Sequence, residues 1–97
     1  MPKFAIQVTM RVHDGQADAF LALIQTAAQA AVAKEPECHA FHVGQSEDDP
    51  HVFMLFEVYS DAAALAFHHQ QEHFQEFRVA AADLIADKSA TKLELFN

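Results

Sequence analysis

Cysteine, glycine, proline and basic residues are all scarce in this chain, and each scarcity removes a class of protein. Cys38 is the only cysteine, so no intrachain disulfide and no four-cysteine metal site can form, and a buried, reduced thiol is expected. Lysine and arginine together number six against fourteen acidic residues, and they form no cluster able to follow a phosphate backbone. Nucleic acid is therefore not an expected partner. The formal charge of −8 disfavours highly anionic polymers as substrates as well. Apolar runs fall short of the ~18 residues of a membrane helix, and the stretch around Lys3 lacks a signal-peptide pattern. The reading is a cytoplasmic protein with no membrane partner. With two glycines and three prolines the chain has no linker or repeat, so residues 1–97 are expected to form a single domain.

What is present is clear periodicity. Phe4, Ile6, Val8, Met10 and Val12 alternate with Ala5, Gln7, Thr9 and Arg11, which predicts a strand. Asp14-Gly15 breaks it. From Gln16 the apolar positions become Phe20, Leu23, Ile24, Ala27 and Ala31, a helical spacing that should run to about Lys34, because Pro36 disfavours helical geometry at Glu35. Cys38 to Ser46 alternates again, with Phe41 and Val43 on one face and Cys38, Ala40 and His42 on the other. The polar turn Glu47-Asp48-Asp49-Pro50 leads into a third strand, Val52 to Tyr59, and predicts an antiparallel hairpin. Asp61 is placed to cap a helix over Ala62 to His68. Phe74, Phe77, Ala81, Leu84 and Lys88 repeat at helical spacing and predict a further helix to about Ala86, continuous with the first or separate from it, and Thr91 to Phe96 reads as a short fourth strand.

The order β-α-β-β-α-β is that of an α+β, ferredoxin-like fold, a four-stranded antiparallel sheet with helices on one face. The third strand is apolar on both sides. A second copy of the chain is the economical cover for its free face, so a homodimer is expected.

The chemistry-bearing residues concentrate between Phe53 and Phe74, where Glu57, Tyr59, His68 and His73 fall within one strand and the helical stretch after it. A carboxylate inside an apolar strand must be paired, hydrogen-bonded or protonated. For Glu57 an ion pair with Arg11 or Arg78 at an interface weighs at least as much as a catalytic role. His42 either lines a cavity or bonds to a neighbour, whereas His13, His39, His51 and His69 read as solvated. Phe41, Phe53 and Phe67 belong to a residue type found in cores more often than against substrates. His69-Gln70-Gln71-Glu72-His73 matches the H-x-x-E-H zinc motif in form. No third ligand follows on the apolar stretch after Phe74, and no metal is expected.

Glu57-x-Tyr59-x-Asp61-x-x-Ala64, then Phe67-His68, then His73-Phe74, resembles the antibiotic biosynthesis monooxygenase family, whose relatives include quinol monooxygenases and an isomerase of phosphorylated autoinducer-2. The Gly15 turn, Phe20 and Cys38-x-x-Phe41-x-Val43-x-Gln45 fit the same outline, so the similarity covers nearly the whole chain. Two departures stand out: the family often has aspartate where His42 stands, and proline where this chain has Glu72. The absence of tryptophan also sets it apart from related haem-degrading enzymes. The resemblance implies a dimeric α/β barrel with a cavity between sheet and helices in each subunit. It further implies a monooxygenase that needs no metal, haem or flavin and oxidises a small electron-rich phenol or hydroquinone with O2. Of His68 and His73, either one is then the base and the other the donor to the anionic oxygen, Glu57 and Tyr59 orient them, and His42, Phe41, Phe53 and Phe67 hold the substrate. An isomerase working through an enolate uses the same parts, and a non-catalytic, ligand-binding stress-response dimer is the third reading.

Overall fold

The computed structural model describes residues 2–97. Strand β1 (Lys3–Val12), helix α1 (Ala17–Lys34), strands β2 (Cys38–Gln45) and β3 (Val52–Tyr59), helices α2 (Ala62–His69) and α3 (Glu72–Ala81) and strand β4 (Ile85–Leu95) follow in order. The strands form one antiparallel sheet, β2-β3-β1-β4, the ferredoxin-like arrangement read from the sequence. No helix among the described residues is long and apolar enough to cross a membrane.

Local chemistry accounts for most element boundaries. Gly15 takes φ 80°, the left-handed conformation that ends β1 at little steric cost. Glu35 adopts an extended backbone after α1, as the following Pro36 requires. The Asp61 carboxylate accepts a 2.9 Å hydrogen bond from the Ala64 N–H and so starts α2. At its other end, α2 stops at His69 because Gln71 is extended. The side chains of Gln71 and Gln75 donate to the carbonyls of Phe67 and His69 at the helix end. The H-x-x-E-H segment is therefore broken between its two histidines rather than carried on one helix.

The core lies between sheet and helices. Phe20 and Ile24 from α1 meet Phe53, Leu55 and Tyr59 from β3 and Ile6, Val8 and Met10 from β1. Phe20 is wholly buried, with its ring 4.8 Å from that of Phe53. The opposite face of the sheet presents Met54, which is 45% exposed, together with Phe56 and His42.

Two expectations are corrected. The third helical stretch ends at Ala81 in a 3-10 turn over Ala82–Leu84, and the last strand begins at Ile85 rather than Thr91. Pairing with β1 decides this: the ladder runs from Lys3 opposite Leu95 to Val12 opposite Ile85, and the His13 N–H bonds to the Leu84 carbonyl. A long backbone ladder outweighs the helical spacing of Leu84 and Lys88. In β2, a bulge between Cys38 and Ala40 puts Cys38 opposite Tyr59 and Phe41 opposite Glu57. Cys38 thus shares the helix-facing side with Phe41 and Val43, contrary to strict alternation.

Phe20→Ala should lower unfolding stability by about 3–5 kcal/mol, the cost of a large cavity in a closed core. Phe67, half exposed on α2, should tolerate the same change for less than about 1 kcal/mol. Urea unfolding followed by circular dichroism measures both.

Candidate active site

The junction of three helix ends holds a buried carboxylate between two imidazoles. Glu35 follows α1, His68 lies in the last turn of α2 and His73 in the first turn of α3. His68 Nδ1 donates to Glu35 Oε2 at 2.7 Å and His73 Nε2 donates to the same oxygen at 2.5 Å. Glu35 and His68 are each 3% exposed. Glu35 Oε1 is buried and has no hydrogen-bond partner among the described residues. A carboxylate in this setting has to be compensated, and the two N–H donors supply that compensation.

On the other side of His68 a cavity of about 310 Å³ opens between sheet and helices. Its volume is near the lower end of ligand pockets, roughly 300–1,000 Å³. The walls are largely apolar, with Ile6, Val8, Leu55, Phe41, Ile24 and Phe74 among them, and the polar side chains reaching it are Glu57, His68, His69, Lys88 and Ser89. With Nδ1 committed to Glu35, Nε2 is the His68 nitrogen left free. The cavity extends to β4, where Lys88 and Ala90 line it.

Glu57 stands in the middle of β3, opposite Ile6 on one neighbour and Phe41 on the other. Burial is the main cause that pushes its carboxyl up to about 7, and the nearby Glu35 adds to it, while the hydrogen bond from Tyr59 works against both. That bond, Tyr59 Oη to Glu57 Oε1 at 2.8 Å, is what the i, i+2 spacing on one strand face makes possible. The Tyr59 hydroxyl is itself raised far above its usual range, first by burial and then by the Glu57 charge, so it remains a donor. Burial also pushes the Cys38 thiol up to about 11, with Glu35 and Glu57 adding to the effect. Cys38 is therefore an uncharged core group rather than a nucleophile.

The candidate residues separate accordingly. Glu57, His68 and Phe41 line the cavity. Tyr59 supports Glu57 from behind, at 0% exposure. Neither Glu57 nor Tyr59 bonds to a histidine, and Glu57 pairs with neither arginine, since Arg11 binds Asp49 and Arg78 binds Gln75. His73 is tied to Glu35 and lies outside the cavity lining. His42 is exposed opposite Phe56, on the sheet face away from the helices. Phe53 is core beneath Phe20, and Phe67 points outward. His69, read as solvated, instead borders the cavity, and its imidazole is shifted down, first by burial and then by His68.

Glu35 was not among the expected site residues, yet the sequence carries a signal for it. The buried positions of α1 are Phe20, Ile24, Ala27, Ala28 and Ala31, and one more turn along that face is Glu35. An acidic residue at a helix C-terminus also opposes the macrodipole, which favours cations there. A carboxylate kept at such a place on the core-facing stripe needs specific partners.

Because the folded state holds the Glu57 proton up to about pH 7 and the unfolded chain releases it near pH 4.3, the folded protein loses stability as pH rises between those values. Glu57→Gln keeps an acceptor for Tyr59 and removes the titration. It should be more stable than the parent by about 1–3 kcal/mol at pH 8 and nearly equal to it at pH 4. Denaturant unfolding across this range reads the difference.

Comparison with known proteins agrees with this architecture. The chain is 31% identical over 84 residues to an uncharacterized protein of Synechocystis sp., covering 87% of this chain and 56% of that protein, so it spans about half the length of that curated relative. Among solved structures, a provisionally named antibiotic biosynthesis monooxygenase from Nitrosomonas europaea superposes with a TM-score of 0.91 at 25% identity, over 95% of this chain and 88% of that one. A protein of Caulobacter crescentus CB15 with the same provisional name shares the fold, with a TM-score of 0.92 at 21% identity over 99% and 92% of the two chains. The family model for antibiotic biosynthesis monooxygenase matches residues 3–80. By that match, the chain belongs to the antibiotic biosynthesis monooxygenase family.

Proposed function

We propose that the protein is a cofactor-independent monooxygenase that oxidises a small electron-rich phenol or hydroquinone with O2. The observation that carries this reading is the apolar cavity into which His68 can turn a free Nε2 while Glu35 holds its Nδ1–H. A neutral imidazole in that tautomer is a base aimed at the cavity.

In the proposed reaction His68 Nε2 takes the phenolic proton. The resulting phenolate gives one electron to O2, and the radical pair recombines into a carbon-bound peroxide. The proton held by His68 returns to the distal peroxide oxygen. The O–O bond then breaks as the ring carbon loses its hydrogen as a proton, leaving a carbonyl on carbon and releasing water. One oxygen atom stays on the substrate and the other leaves as water, so atoms and electrons balance without a further reductant. Glu57, still protonated up to about pH 7, donates to the developing phenolate, and the largely apolar walls limit competing protonation by water. Glu35 is a positioning residue, holding one tautomer of His68 much as a buried carboxylate does in other base-activated sites.

Oxygen uptake with simple hydroquinones tests the reading. His68→Ala should lower the rate about 10²–10⁴-fold, the usual worth of a positioned acid-base group. The rate should also fall as pH rises through about 7, and Glu57→Gln should flatten that limb because its amide still donates. Turnover of a carbonyl substrate under nitrogen, without oxygen uptake, would establish the isomerase reading instead.

We further propose that two copies pair through the free sheet face bearing Met54 and Phe56. An exposed Met54 and a half-buried Phe56 on a central strand support it. Light scattering should give twice the chain mass of 10.8 kDa, and Met54→Asp should give the single mass.

A further inference from the structure

We infer that Glu35, His68 and His73 form a site for a borderline-soft divalent cation of the zinc, cobalt or nickel type, and that its occupation switches off His68 as a base. The metal-binding half stands on geometry alone, whereas the inhibitory half rests on the reading of His68 given above.

One ligating atom from each residue lies within 4.8 Å of the other two, and two imidazoles with one carboxylate make a donor set that suits these ions and not magnesium or calcium. Around a tetrahedral ion with metal–ligand bonds of about 2.0–2.2 Å, neighbouring ligand atoms stand roughly 3.3 Å apart. The present 2.7 Å and 2.5 Å separations therefore need to open by less than about 1 Å. The second, independent observation is Glu35 Oε1, buried and unpartnered. A cation bound by both carboxylate oxygens would compensate that atom and supply a fourth ligand.

The two states compete for one nitrogen. In the hydrogen-bonded state His68 Nδ1 carries the proton and Nε2 has the lone pair. When the metal takes the Nδ1 lone pair, the proton of the neutral ring moves to Nε2, which then donates into the cavity and cannot accept. His73 undergoes the reverse relocation, from Nε2 to Nδ1. Each ring keeps one proton, so the exchange balances without an added acid or base.

The test titrates Zn²⁺ into the full chain carrying His51→Ala, which removes the half-buried His51 and its partners Asp14 and Asp49 as a competing site. Calorimetry should give one ion per chain with a Kd on the order of micromolar or below, and Mg²⁺ should give no heat. His73→Ala and Glu35→Gln, checked for folding by circular dichroism, should each weaken binding by at least about tenfold. Absence of stoichiometric binding, or unchanged affinity in both folded variants, overturns the site. Nitrogen NMR of the unmutated triad keeps the test open if the variants do not fold: zinc should shift His68 Nδ1 to a metal-bound value and Nε2 to a protonated one, and an unshifted ring overturns the site. Zinc should also halve oxygen uptake at the concentration that half-fills the site, and uptake unaffected at full occupancy overturns the inhibitory half. A chain with no oxygen uptake at all would defeat the proposed function while leaving the calorimetric result to stand by itself.

Discussion

One carboxylate shared by two imidazoles fixes the working geometry of this protein. Glu35 sits where α1 ends, His68 where α2 ends and His73 where α3 begins, so one oxygen ties three helix termini together. Each of those termini brings backbone groups that the helices leave unpaired, and each is packed near a buried charge. Moving any one of them would strand a polar group in an apolar setting, at a cost comparable to a lost buried hydrogen bond or more. The break between α2 and α3 follows from this constraint. A continuous helix would carry His73 around with His68, whereas the extended residue Gln71 lets both rings reach one acceptor.

The same constraint divides the polar groups between two tasks. Behind His68, Glu35 and His73 bond to one another out of contact with the main cavity. In front of it, Glu57 and Tyr59 form a second pair whose hydroxyl donor is buried and whose acid faces the cavity. Burial, with the nearby Glu35 adding to it, leads Glu57 to hold its proton against the single neutral donor beside it. His69 carries the complementary effect, disfavoured in its charged form by burial and by His68. The result is a largely apolar chamber bordered by Glu57, a carboxyl that can exchange its proton near neutrality.

Elements with strong local chemistry were legible from residues alone. The alternation of β1, the Asp61 cap, the Pro36 stop and the hairpin before β3 each rest on neighbours a few positions apart, and each lies where expected. The failures share a different cause. Residues 85–90 alternate little, carry small and charged side chains, and sit at a sheet edge; only a long ladder to β1 makes them a strand. The Cys38 bulge inserts one residue and reverses the facing of everything before it, which periodicity cannot detect. Helical spacing across residues 62–81 did not decide whether the two helical stretches are continuous; the extended backbone of Gln71 separates them and with them the histidines.

By itself the sequence determined the ferredoxin-like order of elements and the closeness of Glu57 to Tyr59, because these depend on local periodicity and an i, i+2 spacing. Tertiary structure alone decided which polar groups meet. Glu35 reaches His68 and His73 across 33 and 38 residues of chain, and His42 is turned to the opposite side of the sheet from the cavity. Such pairings are set by how helix ends pack over a sheet, a global property that no window of neighbouring residues contains.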